Sequence, residues 1–249
     1  MNNNIKSNNN NDINRLFISP PFGNYVELPK CTSIKGSFTL DERPGLIKQI
    51  FRTLRYSFEK GGWINKIGLR NKGIDWAINK YKNTNNIVSI AILSNNEIDQ
   101  FLEKIPEDMN IELNISCPNT KEDLINDNLE KFLNNKRKWC SIKLSPNTEI
   151  ELIDKYYEQG FRQFHCSNTL PVENGGLSGP SLIPYTKKLT KSIKDKYSDA
   201  VVISGGGIRN IETLNNYKNI GADYFSVSTL LFNPFLFGMF YYDYYSSDE

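Results

Sequence analysis

Residues that could do chemistry are concentrated in segment 112–119, which reads Glu-Leu-Asn-Ile-Ser-Cys-Pro-Asn. Its alternating polar and apolar residues predict a strand that runs into a Cys-Pro turn. A cysteine just past the end of a strand is suited to accept a proton, and Asn114 and Asn119 could hold a polar ring beside Cys117. The alternative is a buried cysteine next to a structural turn, and this segment alone does not decide between them.

The scarcity of histidine restricts the chemistry further. The single histidine, His165, lies in a predicted strand, where we expect a packed side chain rather than the base of a hydrolytic triad. The four cysteines, Cys31, Cys117, Cys140 and Cys166, form no CxxC pair, so we expect no zinc or other metal site. General acid–base catalysis is therefore expected mainly from Cys, Lys, Asp, Glu or Tyr. The unpaired cysteines also predict a reducing, cytoplasmic compartment.

The overall composition excludes several classes of protein. The net charge of the 249 residues is only +2 with both signs intermixed, which predicts neither a nucleic-acid groove nor a membrane-surface patch. No apolar run approaches the roughly 18 residues of a membrane span. The asparagine-rich residues 1–12 resemble a disordered leader, and residues 13–249 are expected to form a single domain.

Apolar, β-branched runs alternate with helix-like segments along the rest of the chain. This alternation predicts a parallel sheet, and eight runs favour a closed (β/α)8 barrel over a doubly wound sheet. Residues 63–69 are a strand candidate beyond these eight and are interpreted as an excursion over the barrel mouth. Residues 45–60 fit either a helix or a hairpin. The eight runs are 16–19, 32–35, 87–93, 111–116, 140–144, 161–167, 200–204 and 224–228, and the helices are 98–105, 149–159, 182–197, 211–219 and 234–241.

Unusual polar residues and glycines recur where the predicted strands end, which is the working face of such a barrel. Lys35, Asn114, Lys143 and the Ser-Asn-Thr of residues 167–169 lie at four of these ends. The strand at 200–204 runs into three glycines ahead of a helix, an arrangement that lets backbone N–H groups bind a phosphate. A Ser-Thr pair at 228–229 and the glycine-rich segment 175–179 could complete the same pocket.

Together these motifs resemble the dihydroorotate dehydrogenases, which are FMN-containing (β/α)8 barrels. The resemblance extends from about residue 17 to residue 234. It rests on the order and spacing of Asn-Lys-Ile-Gly-Leu-Arg-Asn (65–71), Asn-Ile-Ser-Cys-Pro-Asn (114–119), Ile-Lys-Leu-Ser-Pro (142–146), Asn-Thr (168–169), Gly-Gly-Leu-Ser-Gly (175–179) and Gly-Gly-Ile (206–208).

The resemblance implies roles for individual residues. Cys117 is similar to the catalytic base of the soluble members, and Lys35 is expected at the reaction centre. The implied substrate contacts are Lys35, Asn65, Gly68, Leu69, Asn114, Asn119, Asn168 and Thr169. The implied FMN contacts are Ser19, Lys35, Gly36, Asn114, Lys143, Ser167, Gly179, Gly206, Gly207, Ser228 and Thr229.

The implied reaction removes the C5 proton of dihydroorotate and transfers the C6 hydride to FMN N5. Lys143, beside the flavin N1–C2 edge, would stabilise the reduced anion. The chain departs from the family where Lys35 is separated from Thr39 by one residue more than the usual Lys-x-x-Thr spacing. It also has an unusually short segment between Ser19 and Lys35.

Two alternatives to this function stay open. One is a related FMN oxidoreductase that acts on another dihydropyrimidine or an enone, and the other is a non-catalytic barrel that binds flavin or phosphate. The electron acceptor is also open among fumarate, NAD through a partner subunit, and quinone, although the sequence lacks an iron–sulfur motif and an N-terminal hydrophobic extension. The resemblance implies a small-molecule substrate and a homodimer.

Overall fold

Eight parallel strands close into a barrel in the structure, a computed structural model that describes residues 13–116 and 127–246. Each of the eight predicted runs supplies one strand, so the predicted (β/α)8 architecture is confirmed. Around the barrel the order is β1, β2, β5, β6, β7, β8, β11 and β12. The strands are β1 (Leu16–Ile18), β2 (Cys31–Phe38), β3 (Arg55–Ser57), β4 (Gly62–Asn65), β5 (Ile87–Ile90), β6 (Ile111–Asn114), β7 (Cys140–Lys143), β8 (Gln163–Cys166), β9 (Leu170–Val172), β10 (Gly175–Ser178), β11 (Val201–Gly205) and β12 (Tyr224–Val227).

Side chains alternate between the barrel interior and an outer layer, as the period of a strand requires. The outward residues pack against the helices in the largest hydrophobic cluster, which includes Val88, Ile142 and Val202. The inward apolar residues form a separate cluster inside the barrel. Its buried members are Phe17, Ile34, Ile87, Trp139 and Ile203.

Seven α-helices accompany the strands within the described ranges. The five predicted helices are present, α7 extends five residues further than expected, and α2 was not predicted. Only a short 3-10 helix, Phe22–Asn24, connects β1 to β2, in agreement with the short segment seen in the sequence. None of the described helices has the length and apolar character needed to cross a membrane. The helices are α1 (Leu46–Thr53), α2 (Ile74–Tyr81), α3 (Glu97–Lys104), α4 (Ile150–Glu158), α5 (Ile183–Lys196), α6 (Ile211–Lys218) and α7 (Pro234–Ser246).

A small antiparallel sheet lies at the carboxyl end of the barrel strands. Its order is β3-β4-β10-β9, and its two halves come from the connections that leave the carboxyl ends of β2 and β8. The predicted excursion at 63–69 is therefore confirmed in place, and residues 45–60 form both α1 and β3. Gly175 permits the close pairing of β10 with β4, because a Cβ there would lie 2.1 Å from the carbonyl oxygen of Asn65.

Candidate active site

Strand β6 directs two polar side chains into the barrel. Ile111 and Leu113 pack into the outer cluster, so the alternating residues Glu112 and Asn114 face the interior. Both are buried, with 0% and 8% of their surface exposed. Asn114 is the last residue of the strand, which places its carboxamide at the carboxyl-terminal mouth.

A chain of hydrogen bonds connects the mouth residues of four strands. Asn168 Nδ2 donates to Asn114 Oδ1 (3.0 Å) and to the carbonyl oxygen of Ser116. Asn114 Nδ2 in turn donates to Ser37 Oγ (2.8 Å), whose hydroxyl lies 2.9 Å from that of Ser89. The structure thus brings together the predicted residues Asn114 and Asn168, with two serines that the sequence analysis did not identify.

Below this chain, three ionisable side chains meet inside the barrel. Glu112 Oε2 lies 2.6 Å from His165 Nδ1, and Glu112 Oε1 lies 3.6 Å from Lys143 Nζ. Burial raises the pKa of Glu112, but Lys143 and His165 outweigh it and lower the pKa to about 2. Burial lowers the pKa of His165, aided by the nearby Lys143. The cluster therefore contains an ionised Glu112 and, at neutral pH, an uncharged His165.

Two consecutive glycines after β11 form a seat that fits a phosphate. Gly206 and Gly207 have φ angles of 92° and 79°, a region that other residues rarely adopt. Outside the helices and strand ladders, the hydrogen bonds of the described ranges include none donated by the N–H group of either residue. Backbone amides at a glycine turn are suited to bind an anion such as the FMN phosphate. The residues present therefore fit the cofactor that the resemblance implies.

The remaining predicted cofactor contacts differ in what they can offer. Ser19 Oγ lies 2.6 Å from Ser226 Oγ, and Ser228 Oγ donates to the carbonyl oxygen of Pro20 (2.8 Å), so both hydroxyls are already paired. Ser167 Oγ lies 3.0 Å from the Thr186 hydroxyl of α5, which leaves its backbone as the group available to a cofactor. Thr229 opens the 3-10 helix Thr229–Phe232, and Gly179, with φ of 130°, precedes another, Pro180–Leu182.

Lys35 is a predicted site residue that the structure turns away from the mouth. Its Nζ pairs with Glu27 Oε1 (2.9 Å) and lies 5.4 Å from the ring centroid of Tyr81 on α2. Its neighbour Ile34 belongs to the interior cluster, so Lys35 faces the helix layer. The expectation that Lys35 contacts substrate and FMN is therefore corrected. Gly36 takes the inward position, and its amide is already bound by Asn24 Oδ1 (2.7 Å).

Lys35 faces outward because it pairs in register with Val88, which packs in the outer cluster, and a change of register in β2 follows it. The pairing of β2 with β5 shifts between Lys35 and Phe38, where the sequence carries its extra residue before Thr39. A displacement of one residue exchanges the two faces of a strand. The hydroxyl of Ser37, rather than a lysine, consequently reaches the carboxamide of Asn114.

The loop after β4 carries three predicted substrate contacts. Asn65 ends β4, and Gly68 and Leu69 both have positive φ angles, 72° and 52°. Leu69 is buried although its conformation is uncommon for a residue with a side chain. Asn71 holds this loop to the end of β2, because its Oδ1 accepts from the Thr39 amide and its Nδ2 donates to the Thr39 hydroxyl.

The predicted base lies outside the described residues, as does Asn119. The other three thiols are poor candidates for a base, because burial raises the pKa of Cys31 to about 11, that of Cys140 to about 12 and that of Cys166 further still. Such thiols stay protonated at neutral pH. The remaining predicted residue, Thr169, follows Asn168 and donates its amide to the Asn168 side chain (2.9 Å).

Sequence reasoning assigned no role to Glu112, Ser37 or Ser89. The alternation within β6 could have identified Glu112, since it shares a strand face with Asn114. No comparable signal distinguishes the two serines from other strand hydroxyls. His165 was expected to be a packed side chain; it is buried, and it also binds Glu112.

Comparisons with known proteins agree with this geometry. A family model described as dihydroorotate dehydrogenase matches residues 25–238. The catalytic subunit of dihydroorotate dehydrogenase B (NAD(+)) from Petrotoga mobilis is 34% identical over 209 residues, which cover 70% of this chain and 69% of the relative. The same subunit from Oceanobacillus iheyensis is 30% identical over 220 residues, covering 74% and 72%. A ligand-free dihydroorotate dehydrogenase from Eimeria tenella shares the fold, with a TM-score of 0.66 at 15% identity over 87% of this chain and 79% of that chain.

Proposed function

The chain belongs to the dihydroorotate dehydrogenase family, and on this basis we propose that it oxidises dihydroorotate to orotate in pyrimidine biosynthesis, with FMN as cofactor. The observation that carries the proposal is the meeting of Asn114, Asn168 and Lys143 with a glycine phosphate seat at one end of the barrel. A core residue needs none of these polar groups, whereas a polar ring and a phosphorylated flavin need all of them.

The proposed cofactor site uses the ends of three strands. The amides of Gly206 and Gly207 would bind the FMN phosphate, and Lys143 and Asn114 would bind the polar edge of the isoalloxazine. Bound there, FMN supplies the hydride acceptor, and the protein supplies orientation and charge. Alanine in place of Gly206 would put a Cβ within 3 Å of Leu182, and alanine in place of Gly207 would put one within 3 Å of Ile183 and Pro180. This seat therefore requires residues without a side chain.

The proposed chemistry at the substrate assigns separate tasks to the rim residues. The carboxamides of Asn114 and Asn168 hold the imide edge, and their mutual hydrogen bond fixes the orientation of both. Cys117 accepts the C5 proton, which is acidic because it lies beside a carbonyl. The remaining cysteines, with pKa values raised by burial, are unsuited to this step.

The test is a comparison of two cysteine variants under anaerobic rapid mixing. We expect Cys117→Ala to bind FMN normally and to lose flavin reduction by dihydroorotate by at least about 100-fold, the usual size of a general-base contribution. Cys31→Ala is the matched control, because Cys31 is far from Cys117 in the sequence and its thiol lies next to the Tyr245 hydroxyl. Equal reduction rates in the two variants would exclude Cys117 as the base.

The outward orientation of Lys35 favours a second candidate function. Without this lysine the mouth has lost a partner for the carboxylate of dihydroorotate. A related reaction on a dihydropyrimidine or enone that lacks the carboxylate would tolerate the loss. Flavin reduction rates measured with dihydroorotate, dihydrouracil and a cyclic enone would distinguish the two, and the proposal of orotate formation requires dihydroorotate to be fastest.

We place the electron acceptor on a partner protein. The names of the relatives specify NAD(+) and a catalytic subunit, which implies a further subunit in those enzymes. NADH formation from dihydroorotate by the purified chain alone would contradict this, and formation only with a partner would support it. Within residues 13–116 and 127–246, the cysteines Cys31, Cys140 and Cys166 are free thiols, which supports a cytoplasmic location.

A further inference from the structure

We propose that Glu112 is the counter-ion that sets how much positive charge Lys143 presents to the flavin, and that His165 holds Glu112 in place. The inference rests on the proposed FMN site. It assigns to two interior residues a tuning role: the electron affinity of the cofactor depends on the Glu112–Lys143 pair rather than on the lysine alone.

The three side chains come from neighbouring strands and meet by register. Asn114 on β6 pairs with Lys143 on β7, and Lys143 pairs with His165 on β8. Glu112 lies two residues before Asn114, so it faces the same interior below the mouth. Its side chain is 1% exposed and that of Lys143 is 13% exposed, so the lysine forms the outer member of the pair.

The charges within this cluster of three side chains balance. Glu112 is ionised because Lys143, His165 and Ser89 outweigh the cost of its burial and lower its pKa. His165 is uncharged because burial lowers its pKa, and its Nδ1–H therefore donates to Glu112 Oε2. One negative and one positive charge remain, and at 3.6 Å the carboxylate compensates much of the field of the ammonium.

Packing alone does not require such a cluster. A buried ion pair costs desolvation that its attraction rarely exceeds, and apolar residues of similar volume are often as stable. The barrel already has apolar interior residues one layer further down, including Phe17 and Ile203. The ion pair lies instead directly beneath the mouth, where a charge acts on a bound cofactor.

Hydrogen bonds also connect the cluster to the substrate side of the mouth. Ser89 helps to lower the pKa of Glu112, its hydroxyl lies 2.9 Å from that of Ser37, and Ser37 accepts from Asn114. Glu112 thus contacts the lysine on one side and the carboxamide chain on the other. A change of charge at Glu112 is expected to act on flavin and substrate residues together.

The test measures the two-electron midpoint potential of bound FMN by dye equilibration, without dihydroorotate. Glu112→Gln removes the compensating charge and should shift the equilibrium roughly tenfold toward reduced flavin, a rise of about 30 mV. Lys143→Met should lower the potential by a similar amount. The Glu112→Gln/Lys143→Met double variant should return close to the wild-type value, and Ser141→Ala, a neutral neighbour on β7, should not change it.

A purely structural role for the pair would not give opposite signs in the two single variants. A potential that is unchanged or lowered in Glu112→Gln overturns the inference. The pairing has a second test in the apoprotein: Lys143→Met should lower the free energy of unfolding more than the double variant does, because it leaves a buried carboxylate without its partner. Additive losses there would also overturn it, whether or not FMN binds. Failure to bind FMN, or to oxidise dihydroorotate, refutes the proposed function instead.

Discussion

Replacing Gly207 with alanine tests the phosphate seat most specifically. A Cβ at this position would lie 2.7 Å from Ile183 Cγ1 and 2.9 Å from Pro180 Cα, on a backbone with φ of 79°. The left-handed conformation costs a non-glycine residue roughly 1–2 kcal/mol. Overpacking against a backbone atom costs roughly 1–3 kcal/mol more. We therefore expect Gly207→Ala to lose about 2–5 kcal/mol of unfolding free energy.

Gly45→Ala is the matched control for this variant. Gly45 also has a positive φ, 94°, but a Cβ there meets no atom within 4 Å. It should lose only the conformational contribution, about 1–2 kcal/mol. Denaturant unfolding of both apoproteins checks these values, and fluorescence titration with FMN measures how tightly the seat binds the cofactor.

Because the clash must displace the amide of residue 207, the affinity of the Gly207→Ala protein for FMN should fall at least about tenfold, equivalent to about 1.4 kcal/mol. Gly45→Ala should bind FMN like the wild type. Wild-type affinity in a folded Gly207→Ala protein would refute the assignment of this turn as the phosphate seat.

Three further outcomes are expected. Asn114→Ala and Asn168→Ala should each slow flavin reduction by dihydroorotate, and the double variant should add little, because each carboxamide orients the other; additive losses in rapid mixing would contradict this. Lys35→Met should reduce flavin at close to the wild-type rate, since the lysine faces Glu27, whereas a loss above about 100-fold, the size of a catalytic contribution, would return it to the site. The depressed pKa of Glu112, about 2, means that its stabilisation is present above the ordinary value of 4.5 and is lost as pH falls toward 2. Wild-type protein should therefore lose more unfolding free energy between pH 5 and pH 3 than Glu112→Gln, and parallel denaturation curves would contradict it.

The barrel could be predicted from the sequence because each strand is a short β-branched run bounded by turn residues. The rule that active sites lie at the carboxyl ends of barrel strands then places Asn114, Asn168 and the glycine turn at one mouth. The antiparallel sheet over the mouth was harder to predict. Its strand β10 is built from a glycine-rich segment that resembles a phosphate loop as much as a strand.

The position of Lys35 could not be predicted because side-chain direction in a strand depends on register. The sequence shows the extra residue between Lys35 and Thr39, but only pairing with β5 shows where the shift falls. The role of Glu112 was missed for a related reason. Its partners Lys143 and His165 lie 31 and 53 residues further along the chain and meet it only when three strands align.

The most direct measurement of the central claim is the absorbance spectrum of the FMN-loaded protein under anaerobic conditions, before and after dihydroorotate is added. If the mouth binds flavin and substrate together as argued, the visible flavin absorbance will bleach and orotate will form in equal amount. A spectrum that keeps its flavin absorbance, or a protein that takes up no FMN, would contradict the account.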